Sequence, residues 1–518
     1  MPKTSPELFA AIHVGSEQIG MQIVEYTDLR SIKIVERAQR QVVLGEETFK
    51  TGRIGFNSIS EVCELLKGYR RMMSEYDVGE YRLIATTAIR EAKNQQYIID
   101  QIKVKTGFKV EVVDMPQEIF FKYVAMFKAL QERQITKEAD GILFVDISSG
   151  GLGFTLYQER KIKYHQNIHI GALRIKESFD KTQRDSAYFQ QALAEYIYST
   201  IELVEQELGQ YKIKYLVLSG FETRLLQKML GGEQSAQLSF VSLADFYHLY
   251  EQVRMLNLPQ LMKKFDLSES KAEMVLPTIL LYSQILSLAS SDEIVIAGDS
   301  VMDGITYLHV AQQYEDKWLD MLEEQVVSFA RALGRKYQYD SQHAGRVEEA
   351  SLLLFDRLVK VHGLGRRERL QLKVATILHD IGKFVSLRKH YFYSYRLIAS
   401  SDMPGFSERE KEVIANVAYY HSKGTPNDSD SNFSLLSMEQ KVTVAKLAAL
   451  IRLADALDRS HRQKAVIHDI VLKGDEMIIS VSAQEDMSLE EWTFVDKADF
   501  FEDVFGIRAI LERQAGSR

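Results

Sequence analysis

The chain has 518 residues, 46% hydrophobic and 26% charged, the balance of a soluble globular protein with about three domains of roughly 150 residues. With 64 Lys and Arg against 72 Asp and Glu, the net charge of −8 excludes a global attraction for nucleic acid or anionic lipid. The single cysteine, Cys63, excludes an internal disulfide framework and a cysteine-built zinc cluster.

Leu8–Val14 and Met21–Tyr26 read as strands, the second with period-two alternation. The stretch Leu8–Val14 is too short for a signal segment and is broken by His13. Arg82–Thr86, Lys109–Val113, Ile142–Ile147 and Tyr215–Leu218 are further Val/Ile/Leu-rich runs, separated by helical spacing at Ser58–Met73 and Ala187–Gly209. The apolar and aromatic cluster from Phe120 to Phe127 reads as core packing. Met274–Leu288 holds Pro277, Ser283 and Gln284 and falls short of the roughly 20 apolar residues of a membrane helix, so no membrane partner and a cytoplasmic setting are expected. Alternation of this kind predicts an α/β region with partly parallel sheets.

Two of these strands end alike. Leu8–Val14 runs into Gly15 and Ser16, and Ile142–Ile147 into Ser148, Ser149, Gly150 and Gly151. Each is followed by a returning strand-like stretch, Gly20–Val24 or Phe154–Tyr157, which predicts two related lobes facing a cleft. Glycine lets the backbone approach a ligand, and N–H and hydroxyl donors suit phosphate oxygens. Taken singly, each loop is more often just an ordinary hairpin turn.

From about Gln312 strand patterns nearly vanish. Gln312–Leu333, Gly345–Val361, Arg366–His379, Ser394–Ser400, Ser407–Tyr420 and Glu439–Leu457 read as amphipathic helices, and period-two runs return between Lys464 and Val481. Within this half lie His343, the pair His379-Asp380, His390, His421 and Asp455. Neutral imidazole and carboxylate are the ligands of Mn²⁺, Fe²⁺, Zn²⁺ or Mg²⁺. Consecutive helical side chains diverge by about 100°, so one His-Asp pair can serve two metals, or one metal and a water. An isolated histidine is usually a satisfied core or surface residue; six candidates in this order, with His379-Asp-Ile-Gly-Lys383 contiguous, are harder to account for by packing.

This half resembles the HD domain, a helical metal-dependent phosphohydrolase superfamily. The resemblance implies core ligands His343, His379, Asp380 and Asp455, with His390 and His421 as the added ligands of two-metal members. Asp458 rivals Asp455 for the last place, and Lys383 is expected to hold a phosphate oxygen. A divalent cation is implied, Mg²⁺ or Mn²⁺ first, with Fe, Ni or Zn open at this centre.

The first 310 residues have their own match. Thr86-Thr-Ala-Ile-Arg90-Glu-Ala-Lys-Asn94, Gln117-Glu118, Asp146-Ile-Ser-Ser-Gly-Gly151, Gly171-Ala-Leu-Arg174 and Ser219-Gly220 resemble the exopolyphosphatase / guanosine pentaphosphate phosphohydrolase family. Gly405-Phe-Ser-Glu-Arg-Glu410 and the segment Ala454–His461 are similar to its long members. The resemblance implies two actin-like α/β lobes, 1–125 and 126–310, then a helical HD-type domain with a β-rich tail, 311–518. It also implies a homodimer and release of the terminal phosphate from polyphosphate or guanosine pentaphosphate. Glu118 would activate water and Asp146 hold Mg²⁺. Gly15, Ser16, Arg90 and Ser148–Gly151 would contact phosphates.

The chain departs from the family pattern at the cleft. His13 stands for an Asp, Glu17-Gln18 for Asn-Ser, and Ser148 and Ser149 for glycines. Gly153 replaces an acidic residue, Met115 a glycine and Gln117 a glutamate. Three readings follow: hydrolysis between the lobes, hydrolysis at the HD-type metals with the lobes as a nucleotide or polyphosphate sensor, and a non-catalytic binding protein.

Overall fold

The computed structural model describes residues 5–514 apart from 138–140, 149–150, 172–173, 176–177, 185, 187, 232–237, 290, 292 and 299–300. The chain divides into two compact units, Met1–Gln325 and Val326–Arg518.

The first unit holds two sheets. In one, β1 (Glu7–Val14), β2 (Gln18–Tyr26), β3 (Ile32–Gln41), β4 (Glu80–Ala85) and β5 (Val110–Val112) take the order β3-β2-β1-β4-β5. The other comprises β6 (Gly141–Ile147), β7 (Leu152–Gln158), β8 (Lys161–Ile168), β9 (Ile213–Ser219), β10 (Leu238–Ser242) and β11 (Glu293–Ala297), in the order β10-β11-β9-β6-β7-β8. In both, three consecutive strands form an antiparallel meander, and its first strand also pairs in parallel with a later one. The repeated strand–turn–strand of the sequence is thus a repeat of topology. β6 is buried along its whole length, which is why it reads as an unbroken apolar run.

Three helices matter for the cleft. Short α1 (Thr87–Glu91) follows β4 directly. The helix α2 (Met115–Glu132) starts at Asp114, whose carboxylate accepts from Gln117 N–H, with Pro116 in its first turn. Of its 18 residues 12 are buried, ten of them apolar and the other two Glu118 and Lys122, because it runs through the interior. It meets α3 (Val301–Gln313) at Gly304, where a Cβ would lie 1.9 Å from the Phe121 carbonyl oxygen. Only glycine permits that approach. The helix expected over 312–333 is in fact two: α3 ends at Gln313, and a new helix, Lys317–Lys336, starts after Asp316 accepts from Trp318 N–H.

In the second unit, α4 (Ser341–Arg357), α5 (Arg366–Leu378), α6 (His390–Ser400), α7 (Glu408–Tyr420) and α8 (Met438–Ala456) pack around Leu354, Leu372, Leu378, Ile414, Val417 and Leu447, all fully buried. Capping boxes at Ser407/Glu410 and Ser437/Gln440 start α7 and α8. A sheet of β12 (Val466–Lys473), β13 (Glu476–Ser482) and β14 (Arg508–Arg513) closes the chain. Helix α9 (Ser488–Phe505), which the sequence pattern does not announce, bridges the parallel pair β13/β14. Among the described residues no helix is long and apolar enough to cross a membrane.

Candidate functional site

The structure brings the sequence candidates together in two places, one in each unit. In the first unit, Gly15 and Ser16 follow β1, Thr86 and Thr87 follow β4, and Ser148 follows β6. They line one cavity together with His13, Glu17, Gln18, Glu118 and Lys122. Ser149 and Gly150 lie outside the described residues. Ser148 folds back on Gly151, whose N–H it receives at 3.1 Å and whose carbonyl it meets at 3.0 Å. His13 Nε2 lies 3.1 Å from Thr86 Oγ1.

Glu118 and Lys122 of the cavity belong to a chain of charged groups that runs on to Arg90 and Asp146. Arg90 donates to Glu118 Oε2 at 3.3 Å, to the Val113 carbonyl at 2.9 Å and to Thr87 Oγ1 at 2.9 Å. Lys122 Nζ sits 3.3 Å from Glu118 Oε1 and 2.9 Å from Asp146 Oδ2. Ser219 Oγ donates to Asp146 Oδ1 at 2.6 Å. Each oxygen of both carboxylates therefore has a donor. Burial alone would push the Glu118 carboxyl up, but Lys122 and Arg90 hold it below its ordinary value. A base is most effective with a pKa near the working pH, so this environment weakens Glu118 as an activator of water. Burial pushes Asp146 up, opposed by Lys122 and the Ser219 hydroxyl. The space beside the second loop is also occupied. A Cβ on Gly151 would lie 2.6 Å from Met115 Sδ, and one on Gly153 2.5 Å from Ile119 Cδ1. Lys122 was not among the sequence candidates. Its signal is a cation four residues after Glu118, flanked by Phe120, Phe121, Tyr123 and Val124.

In the second unit all six expected ligands converge. His343 is in the first turn of α4, His379 and Asp380 directly follow α5, His390 opens α6, His421 directly follows α7, and Asp455 is in the last turn of α8. Helix ends place them, and helix ends also set their tautomers. His379 and His421 donate Nδ1–H to the carbonyls three residues back, Thr376 at 2.7 Å and Ala418 at 2.6 Å, which terminal helical carbonyls leave open. His343 donates Nδ1–H to Asp458 at 2.9 Å. In each ring Nδ1 is committed to that partner, so Nε2 is the nitrogen left to face the cluster.

Those Nε2 atoms face one another and carboxylates. His343 Nε2 is 3.3 Å from His379 Nε2 and 3.3 Å from Asp455 Oδ1, with Asp380 Oδ2 at 3.8 and 3.6 Å from the two rings. On the other side His390 Nε2 and His421 Nε2 are 3.2 Å apart and lie 3.3 and 3.5 Å from Asp380 Oδ1. Asp380 thus joins two three-ligand groups, one through each oxygen. Its Oδ1 is buried and accepts no hydrogen bond. Acceptors crowded at these separations repel unless a cation lies between them. Metal bonds of 2.0–2.2 Å give ligand–ligand separations of about 3–3.5 Å, so the set fits divalent metal ions. Burial would lower His343, yet Asp455 and Asp458 hold it up at about 9, another sign that the cluster favours positive charge. Burial lowers His379 to about 3, keeping it a neutral ligand.

Around this cluster Lys497 on α9 pairs with Asp455 Oδ2 at 2.5 Å. His461 stacks on His343 with ring centroids 3.6 Å apart. Lys383, one-third exposed, reaches Asp380 Oδ2 at 2.5 Å and His461 Nε2 at 3.3 Å. Asp455 faces Nε2 of His343, the nitrogen turned toward the other five residues, and Asp458 faces Nδ1 on the opposite edge of the ring.

The pattern of the Ppx/GppA phosphatase family matches residues 22–313, and that of Ppx/GppA phosphatase, domain III, matches 328–497. The chain belongs to the Ppx/GppA phosphatase family. Among Ppx/GppA relatives, the guanosine-5'-triphosphate,3'-diphosphate pyrophosphatases of Aeromonas hydrophila and Vibrio vulnificus are each 20% identical over 92% of both chains. The crystal structure of the Aquifex aeolicus Ppx/GppA family member covers 60% of this chain and 99% of its own, with a TM-score of 0.50 and 20% identity. An exopolyphosphatase structure from Cytophaga hutchinsonii covers 59% and 98%, with a TM-score of 0.51 and 19% identity. The Ppx/GppA fold here is the expected actin-like α/β pair, followed by a helical C-terminal region.

Proposed function

We propose that this Ppx/GppA chain is a metal-dependent phosphoanhydride hydrolase that removes the terminal phosphate of polyphosphate or of guanosine pentaphosphate. We assign the hydrolysis to the helical unit, read as an HD-type centre. The observation that carries this assignment is Asp380, whose two oxygens face two separate groups of imidazole ligands. The phosphoanhydride substrate class is supported by the pyrophosphatases that align with 92% of this chain.

His343, His379, Asp380 and Asp455 would hold one cation, and Asp380, His390 and His421 a second. Such a centre, when loaded, supplies Lewis acidity toward phosphoryl oxygens and water. Its imidazole content favours Mn²⁺ or Fe²⁺ over Mg²⁺, which prefers oxygen ligands. The chain's own residues do the rest. Asp458 keeps His343 in the tautomer that presents Nε2. Lys497 balances Asp455. The partly exposed Lys383 holds a phosphate oxygen next to the ligands, and burial keeps His379 neutral at physiological pH.

The test is phosphate release from long-chain polyphosphate and from guanosine pentaphosphate with Mn²⁺ and with Mg²⁺, comparing wild type, Asp380→Ala and Glu118→Gln. Asp380→Ala is expected to lower turnover by about 100-fold or more, while Glu118→Gln retains most of it. The opposite ranking returns hydrolysis to the lobes. Release of no phosphate from either substrate by wild type refutes the reading altogether.

A further inference from the structure

The family resemblance places a divalent cation on Asp146, within reach of Glu118, in the cleft of the first unit. The residues present do not fit that ion. The ammonium of Lys122 lies 2.9 Å from Asp146 Oδ2 and 3.3 Å from Glu118 Oε1, between the two carboxylates. The remaining oxygens are taken by Ser219 Oγ at 2.6 Å and by Arg90 at 3.3 Å. Lys122, Asp146 and Glu118 are all buried, so bulk water does not screen them. Two cations already balance two anions. A divalent ion entering here would have to displace the ammonium from Asp146 and then sit within a few ångströms of it, in a place where like charges repel strongly.

We propose that Lys122 is a built-in substitute for the divalent cation of this cleft, making the first unit a metal-independent site. The ammonium does structurally what the ion would do. It ties α2 to β6, while Ser219 extends the tie to β9 and Glu118 extends it through Arg90 to α1. Other changes agree with the loss of the ion. At Gly153, where the family carries an acidic residue, Ile119 leaves no space for a side chain, and Met115 closes on Gly151. The inference rests on the first unit alone and stands whether or not the helical centre is the hydrolytic one.

The experiment counts Mn²⁺ on the full-length chain by the loss of the free-ion electron paramagnetic resonance signal, in an Asp380→Ala background that removes the bridging ligand of the helical centre. With Lys122 in place, Asp146→Asn is expected to leave the number of bound ions unchanged. Lys122→Met or the better-shaped Lys122→Gln is expected to gain one Mn²⁺ per chain, and adding Asp146→Asn is expected to remove it. Circular dichroism shows which variants are folded, and the Asp146→Asn arm needs no change at Lys122. The proposal is overturned if Asp146→Asn lowers Mn²⁺ binding while Lys122 is present. It is equally overturned if a folded Lys122→Gln chain gains no ion.

Discussion

Two aspartates three residues apart flank His343, and the geometry gives them different work. Asp455 Oδ1 is 3.3 Å from the ligand nitrogen Nε2, whereas Asp458 Oδ2 is 2.9 Å from Nδ1 on the opposite edge of the ring. Replacing Asp458 with Asn keeps the shape but removes the charge that makes the imidazole a strong donor. An inverted Asn amide would also offer N–H to Nδ1 and drive the proton onto Nε2, against the metal. Outer partners of this kind are worth about 10–100-fold in metal affinity, or about 1.4–2.7 kcal/mol. Asp455→Asn removes a ligand and leaves the buried Lys497 ammonium without its carboxylate at 2.5 Å. It is expected to cost more than about 100-fold in affinity and, in addition, about 3–5 kcal/mol of stability. The assay is Mn²⁺ titration by calorimetry alongside thermal melting of the metal-free variants. If Asp458→Asn lowers affinity as much as Asp455→Asn, or if neither changes it, the assignment of ligand and orienting partner is wrong.

Further expectations follow from single residues. Burial raises Glu17 from an ordinary 4.5 to about 7, partly countered by Lys271 and reinforced by Glu46. A carboxyl raised on folding stabilises most below pH 4.5, and that contribution is lost as pH rises to 7. Glu17→Gln should therefore match wild type at pH 4 and exceed it at pH 8 by up to roughly 3 kcal/mol, read from denaturant melts at the two pH values. At Gly220, with φ of +117°, a Cβ would stand 1.6 Å from the Ile147 carbonyl oxygen, so Gly220→Ala should destabilise by about 3 kcal/mol or more; an unchanged melting temperature would contradict this. A Cβ on Gly382 would lie 2.0 Å from the His390 carbonyl oxygen and 2.4 Å from Ser394 N. Gly382→Ala should then shift the start of α6 and lower the metal content found by elemental analysis, with His390 the ligand displaced.

Most of the strands around the cleft were legible in the sequence because buried strands read as apolar runs, as in Ile142–Ile147 and Leu8–Val14. So were the six His and Asp residues that converge in the helical unit, because their residue types fall at helix ends with few chemical alternatives. Some elements left no such mark. β3 is largely exposed and carries charge along its length, and α9 lacks a clean apolar face, so neither shows a strong period. The helix breaking at residues 314–316 carries no Gly or Pro to announce it.

What the sequence determined by itself was chemistry: imidazoles and carboxylates in a metal-binding order, and two Gly/Ser turns after related strands. The proposed division of labour between the two sites rests on tertiary packing alone. Lys122 neutralises Asp146 across 24 positions, Ser219 reaches it across 73, and Lys497 meets Asp455 across 42. Local pattern reports which groups a chain carries. The charge each group meets once buried depends on partners that the fold alone brings within 3 Å.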